Sequence, residues 1–186
     1  MNIPIDPDQI RSRILEQDFT CIRCGACCRE IEPGSNLVMV SPAEVRNIMR
    51  VTSLPFDEVV EPYPDTIKEG NREYTLGWAI RREGDHCRFL VDGMCSIYLM
   101  RPWICRTYPF MLDNEVLVVS PCNGIGSGEK EPDKMIRTDQ IRSDLHERQR
   151  AEREEESQVA KILAREKIPV GRLVVVDSEG MRIIHG

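Results

Sequence analysis

The sequence lacks most of the features by which a protein declares its chemistry. Nowhere in its 186 residues does an apolar run approach the roughly 18 to 20 residues needed to cross a bilayer. Met1 to Asp18 interleaves charged with apolar residues where a secretory leader needs an unbroken apolar stretch. The protein is therefore expected to be soluble, unexported and cytoplasmic, with no membrane partner. Positive charge is not in excess either, since 25 Lys and Arg stand against 31 Asp and Glu for a net charge of −6. Such a balance gives no drive toward phosphate backbones, and nucleic acid is not an expected partner. GxSxG, P-loop, HExxH and EF-hand patterns are all missing, which leaves hydrolase and kinase readings without support. There is no internal repeat and no low-complexity segment. Histidine is scarce: His86 precedes a cysteine and is a candidate ligand or proton relay, whereas His146 sits in a charged stretch and His185 at the tail.

Cysteine, in contrast, is abundant, with eight residues at positions 21, 24, 27, 28, 87, 95, 105 and 122. An even count can signal disulfides, but that reading wants export, an oxidising compartment and a chain too small to build its own core. Leu, Ile, Val and Phe make up about a quarter of the chain, above the roughly 20% typical of disordered sequences, so a core is within reach. Cys27 and Cys28 are also adjacent, and a bridge between neighbours strains the peptide unit. Thiols kept reduced at this density point to metal ligation.

The cysteines fall in the first two thirds of the chain, at expected loops and element ends where ligands converge. A short entry helix is predicted over 2–18, with Asp6 and Pro7 as cap and first turn. The CIRCGACC segment, Cys21 to Cys28, reads as a tight loop around Gly25. A short strand over 37–40 leads to Ser41-Pro42-Ala43-Glu44, a capping-box start for a helix to about Arg50. Pro55 opens another helical piece through Val60. A strand is expected over 74–81, then a hairpin turning at Asp92-Gly93 before Cys95. A helical turn over 97–100 stops at Pro102, Cys105 to Phe110 runs into a loop, and 115–120 forms a strand ending at Pro121-Cys122. Residues 129–167 hold no Cys or aromatic residue and are more than half charged. That stretch predicts a helix packed by its two ends, through Ile141 and Leu145 and through Val159, Ile162 and Leu163, with a solvated middle carrying Arg148–Glu152 and Arg150–Glu154 pairs. Pro169 ends it, and 173–176 should be a terminal strand.

Thiolate is the soft ligand of zinc and of iron–sulfur clusters, and both usually need four sulfurs or their equivalents. Cys21-x2-Cys24-x2-Cys27 reproduces the first three positions of a ferredoxin-type cluster loop. The fourth ligand must come from Cys87, Cys95, Cys105 or Cys122. Consecutive side chains tend to diverge, so Cys28 is expected to point away, toward a second centre or as a reactive thiol. A zinc site more often uses two CxxC knuckles, and no second CxxC is present. Arg23, Arg29, Arg88 and Arg106 lie beside cysteines, with Arg81, Arg82 and Arg101 nearby, as counter-charges for an anionic thiolate centre in an otherwise acidic chain. Tyr98, Trp103 and Tyr108 are expected to pack around that centre. Gly124-x-Gly126-x-Gly128 follows a strand as a nucleotide loop would, but Pro132 delays any helix and no acidic ribose partner follows, so it reads as a turn. A radical S-adenosylmethionine signature would need cysteine where Ile31 stands.

The segments FTCIRCGACC (Phe19 to Cys28), CRFLVDGMCSIYLMRPWICRTYPF (Cys87 to Phe110) and Cys122-Asn-Gly-Ile-Gly resemble the CxxCxxCC cysteine-cluster family. This family, also called YkgJ-like, is described as zinc- or iron-chelating. All eight cysteines fall at positions that the family pattern uses, over roughly residues 19 to 128. The family is similar to flagellin lysine N-methylases, whose cysteines are thought to hold a 4Fe-4S cluster. The resemblance implies metal or cluster binding through Cys21, Cys24, Cys27, Cys28, Cys87, Cys95, Cys105 and Cys122, and no single settled reaction.

The fold expected is thus a small, irregular, cysteine-rich α+β domain over 1–128, centred on metal, with a charged helix and short terminal strand over 129–186 packed on it. The function expected is an iron–sulfur protein of 4Fe-4S type, serving electron transfer or cluster-assisted modification of a redox or substrate protein. A zinc-stabilised, non-catalytic binding module and a protein lysine methylase-like enzyme are the alternatives.

Overall fold

The computed structural model describes residues 7–113, 116–128 and 133–184. The Asp6 cap, Pro132 and His185 lie outside the described residues. Helix α1 (Pro7–Glu16) buries Ile10 and Ile14 on one face and delivers the chain to Phe19. After the cysteine loop, with its 3-10 turn Ala26–Cys28, come β1 (Met39–Val40) and α2 (Pro42–Thr52). Helix α2 begins as its sequence demands. The Ser41 hydroxyl accepts the Glu44 N–H, the Glu44 carboxylate accepts the Ser41 N–H at 2.9 Å, and Pro42 fills the first turn. Val45 and Ile48 of α2 are fully buried, each stabilising the fold by about 1.5–3 kcal/mol.

The short α3 (Phe56–Val59) runs straight into β2 (Val60–Pro62), followed by β3 (Thr66–Glu69), β4 (Arg72–Leu76) and β5 (Trp78–Ile80). The single strand expected over 74–81 is thereby broken in two. Gly77, at φ +82°, donates its N–H to Val176, and its left-handed turn sends Leu76 and Trp78 into different sheets. Two small antiparallel hairpins follow, β6 (Arg82–Glu83) with β7 (His86–Cys87) and β8 (Leu90–Val91) with β9 (Met94–Cys95). Asp92 and Gly93 both have positive φ, 50° and 78°, as the expected two-residue turn requires. A 3-10 turn over Tyr98–Met100 leads to α4 (Trp103–Thr107), so Cys105 sits on a helix where a loop was expected. Pro102, fixed in φ, starts that helix instead of only stopping the preceding turn. Strands β10 (Phe110–Asp113) and β11 (Val116–Val119) form a hairpin.

Helix α5 (Asp133–Arg165) is followed by β12 (Leu173–Asp177) and β13 (Gly180–Ile183), the last not foreseen from the sequence. Strand β12 runs parallel to β4 inside a four-stranded sheet ordered β13-β12-β4-β3; a second, three-stranded sheet is ordered β1-β5-β2. Three apolar clusters fill the space. One joins Val45 and Ile48 of α2 to Trp78, Ile80, Phe89 and Ile97, with Cys87 and Cys95 packed against it. A second joins Ile10, Ile14 and Phe19 to Phe110, Leu117, Ile141 and Leu145, with Cys21 and Cys122 packed against it. The third sits under the end of α5, where Val159, Ile162 and Leu163 cover Tyr74, Val174 and Val176. The middle of α5 is exposed, with Arg148 paired to Glu152 at 2.7 Å; Arg150 pairs back to Glu147 instead of forward to Glu154. Among the described residues no helix is long and apolar enough to cross a membrane. The chain is a mixed α+β protein.

Candidate metal centre

All eight cysteines line one cavity of about 260 Å³. They reach it from separate pieces of chain: Cys21 and Cys24 from the loop after α1, Cys27 and Cys28 from the 3-10 turn, Cys87 from β7, Cys95 from β9, Cys105 from α4 and Cys122 from the segment after β11. No pair of them is joined as a disulfide. Cys24 and Cys27 are exposed at the mouth and the other six are half-buried.

Two glycines set the approach of these pieces. At Gly25, φ is +70°, and a Cβ there would stand 2.8 Å from Leu90 Cδ1 and 2.9 Å from the Gly93 carbonyl oxygen. The cysteine loop therefore lies flat on the β8–β9 hairpin that carries Cys95. At Gly124, a Cβ would stand 2.2 Å from the Thr20 carbonyl oxygen, and the Thr20 N–H donates to the Gly124 carbonyl at 2.9 Å. That contact fastens the Cys21 arm to the Cys122 arm. It also gives the glycine segment after Cys122 a packing role of the kind its turn reading implies.

Cys27 and Cys28, though consecutive, both border the same cavity, and Cys28 is the largest influence on the Cys27 thiol. Successive side chains point opposite ways along an extended strand but are rotated much less in a tight helical turn, so the 3-10 turn can offer both to one concave wall.

The electrostatics of the cavity are those of crowded sulfurs. The Cys27 thiol is pushed well above its ordinary value, first by the hydrogen bond with Cys28 and further by Coulombic repulsion from it. Burial raises Cys87, Cys95, Cys105 and Cys122, and neighbouring cysteines add to each shift. Arg101 opposes the rise at Cys27, Cys95 and Cys105, and Arg82 opposes it at Cys87. Three of the sulfurs also accept a backbone N–H from two residues further on: Cys87 from Phe89, Cys95 from Ile97, and Cys122 from Gly124 at 3.4 Å. Such bonds favour the thiolate and hold its sulfur in one orientation.

Of the seven arginines singled out by sequence, Arg23 and Arg101 line the cavity, stacked on the Tyr98 ring at 4.3 and 3.6 Å. Four point elsewhere. Arg81 bonds the Asp57 carbonyl, Arg82 pairs with Glu30, Arg88 with Glu58, and Arg106 with Asp144. Arg29 does not border the cavity. Tyr98 and Tyr108 line it, and the Tyr108 hydroxyl donates to the Pro121 carbonyl, tying the end of α4 to the segment of Cys122; Trp103 instead stacks under Arg106 outside it. His86 does not border the cavity, and its Nδ1 lies 2.9 Å from Asp85. Glu44 was read only as a cap, yet its second carboxylate oxygen accepts the Trp103 N–H at 2.8 Å, so it also positions α4 and Cys105. No local pattern in the sequence signals that contact, which spans 59 residues.

Among the described residues no three Cys, His, Asp or Glu side chains stand as the closed ligand shell of one metal ion. The thiols instead surround a shared space. Their chemistry fits a thiophilic metal: soft donors, amide-oriented sulfurs, and proton-holding thiols whose mutual repulsion a cation relieves.

The model of the CxxCxxCC family, whose description reads "Putative zinc- or iron-chelating domain", matches residues 20–123, a stretch that contains every cysteine of the chain. An uncharacterized protein of Methanocaldococcus jannaschii is 30% identical over 94 residues, half of this chain and 44% of that protein. No solved structure matches the chain. The chain belongs to the CxxCxxCC family, described as a "Putative zinc- or iron-chelating domain", and all eight of its cysteines lie within the matched stretch.

Proposed function

We propose that the cavity holds an iron–sulfur cluster of 4Fe-4S type, and that the protein passes electrons to, or modifies, a partner protein in a reducing compartment such as the cytoplasm. The observation that carries this reading is the gathering of eight thiols around one space of about 260 Å³, where a water claims about 30 Å³. That is more sulfur than the four ligands one tetrahedral zinc ion takes up.

The eight thiols divide into two sets. Cys122 feels Cys27, Cys24 and Cys21 as its charged cysteine neighbours, and Cys21 and Cys122 pack against the same apolar cluster. Cys105 feels Cys87, Cys27 and Cys95, so Cys27 stands between the two groups, and Cys87 and Cys95 pack together against another cluster. Cys122 thus completes the ferredoxin-like spacing of Cys21, Cys24 and Cys27 as fourth cluster ligand. Cys87, Cys95 and Cys105, with Cys28 as the remaining thiol, are then left for a second centre.

A cluster so held supplies reversible one-electron chemistry at a potential tuned by hydrogen bonds to its sulfurs. The protein's own part is to orient the Cys122 sulfur through the Gly124 N–H and to set Arg23 in the cavity wall beside the thiols. Purification without oxygen, with iron, zinc and sulfide measured per chain, tests the reading. Iron and acid-labile sulfide in equal amounts are expected, with a visible absorption band that bleaches on reduction. Colourless protein carrying zinc alone would overturn it in favour of a zinc-stabilised binding module, because zinc has a filled d shell and is not reduced. Cys122→Ser should abolish the visible band, whereas Cys105→Ser should leave it; the reverse result would reassign the fourth ligand.

A further inference from the structure

A second depression opens beside the cysteine cavity, between α4 and the first turns of α5. Its volume is about 600 Å³, within the roughly 300–1,000 Å³ of small-molecule sites. Cys21, Tyr98, Arg101 and Tyr108 border both spaces, so this cleft adjoins the cysteine cavity directly. We propose that the cleft binds a small organic monocarboxylate with an apolar body, its carboxylate on Arg101.

The charge arithmetic of the walls selects that class. Arg106 is spoken for: it pairs with Asp144 at 3.1 Å, and Asp144, which is buried, also accepts from Gln140 at 2.8 Å. Arg101 has no carboxylate partner among the described residues. Its Nε donates to the Tyr98 carbonyl at 2.9 Å, and its guanidinium lies 3.6 Å over the Tyr98 ring, so the group is held flat with its Nη donors uncommitted. A fixed planar fork of this kind matches a carboxylate. The walls hold Arg101, Arg106 and Arg137 against Asp133 and Asp144, a net charge of one positive that a single carboxylate neutralises and a dianion would exceed. Ile136, largely exposed, provides apolar surface in the wall, with Phe19 and Ile141 beneath it, where an aliphatic or aromatic body can rest.

The inference concerns the cleft and Arg101, and it stands whether the thiols hold iron–sulfur or zinc. Benzoate is the probe, with uncharged benzamide as its isosteric control, titrated calorimetrically into metal-loaded protein at low salt. Benzoate should bind roughly tenfold or more tightly than benzamide. Arg101→Gln should erase that preference. Because Arg101 also borders the cysteine cavity, metal per chain is measured alongside, and Ile136→Trp provides a second arm. Ile136 is 67% exposed, so an indole there fills the cleft without disturbing the core or the thiols, and it should weaken benzoate roughly tenfold at unchanged metal content. Equal binding of benzoate and benzamide would overturn the proposal. So would full benzoate affinity in Ile136→Trp, which would put the anion in the cysteine cavity instead.

Discussion

Substituting Gly124 by alanine should prise apart the two arms that carry Cys21 and Cys122. Gly124 does not adopt a left-handed backbone, so nothing in its conformation demands glycine; the requirement is space. The added methyl would lie 2.2 Å from the Thr20 carbonyl oxygen and 3.1 Å from Phe19 Cε2, the first of these a backbone atom that cannot swing aside. Relief requires the segments to separate, which loosens the 2.9 Å bond from the Thr20 N–H to the Gly124 carbonyl and shifts Phe19 against Phe110, its edge-to-face partner at 5.4 Å. Overpacking of this kind costs about 1–3 kcal/mol, and the weakened hydrogen bond about 0.5–1.5 kcal/mol more. A loss of about 2–4 kcal/mol is a large share of a domain's total of about 5–15 kcal/mol. Urea unfolding of metal-free protein gives that loss, and metal per chain, measured at equal protein concentration, gives its effect on the site. Gly70→Ala serves as the comparison. Gly70 is left-handed at φ +61° but has nothing within 4 Å of its would-be Cβ, so it carries backbone strain of about 1 kcal/mol and should keep its full metal complement. Wild-type stability and wild-type metal content in Gly124→Ala would refute the idea that the Thr20–Gly124 contact holds the cysteine arms together.

Cys24→Ser should lose the metal of the first thiol set and the stability that metal contributes, whereas Cys28→Ser should retain that metal; equal losses in elemental analysis would merge the two sets into one. Glu44→Ala removes the acceptor of both the Ser41 and the Trp103 N–H groups, which should cost about 2–4 kcal/mol in urea unfolding and reduce metal content through displacement of Cys105; an effect confined to α2 would separate cap from site. In metal-free protein, Cys87, Cys95, Cys105 and Cys122 hold their protons above the ordinary thiol value of 9.0. The folded chain then binds more protons than the unfolded one at alkaline pH, so stability is complete below that value and falls as pH rises through the raised ones. A urea midpoint unchanged between about pH 7 and about pH 10.5 would contradict this.

Much of the site was legible in the sequence because its chemistry is written in residue type and spacing. Cys21, Cys24 and Cys27 announce thiolate ligation by themselves, and Asp92-Gly93 and Ser41-Pro42-Ala43-Glu44 specify a hairpin and a helix start by local rules that no distant contact overrides. What stayed hidden depends on pairings between distant segments. Trp78 could not be separated from Leu76 by pattern, because both belong to one apolar run, and the break at Gly77 follows from which partner each half meets, Val176 or Val40. That Cys28 borders the same cavity as Cys27 was hidden for a related reason: the direction of adjacent side chains depends on the turn they sit in, and a 3-10 turn is not recognisable from Ala-Cys-Cys. The arginines show the limit of proximity in sequence. Arg88 follows Cys87 directly yet reaches Glu58, while Arg101, four residues from the nearest cysteine, borders the thiols.

The stretch shared with the family carries every sulfur, but the apolar groups that steady those sulfurs come partly from outside it. Ile10 and Ile14, before that stretch, and Ile141 and Leu145, after it, enclose Phe19, Phe110 and Leu117 in the cluster on which Cys21 and Cys122 rest. Val175 of β12 enters the cluster that supports Cys87 and Cys95. Each thiol set therefore leans on a core closed by residues beyond the cysteine motif. This division suits a metal centre. Ligands fix the chemistry and tolerate little change in type, whereas the apolar supports need only volume and burial, which many sequences supply. It also places α5 at a point of influence, because the same first turns that bury Ile141 and Leu145 form the outer wall of the Arg101 cleft.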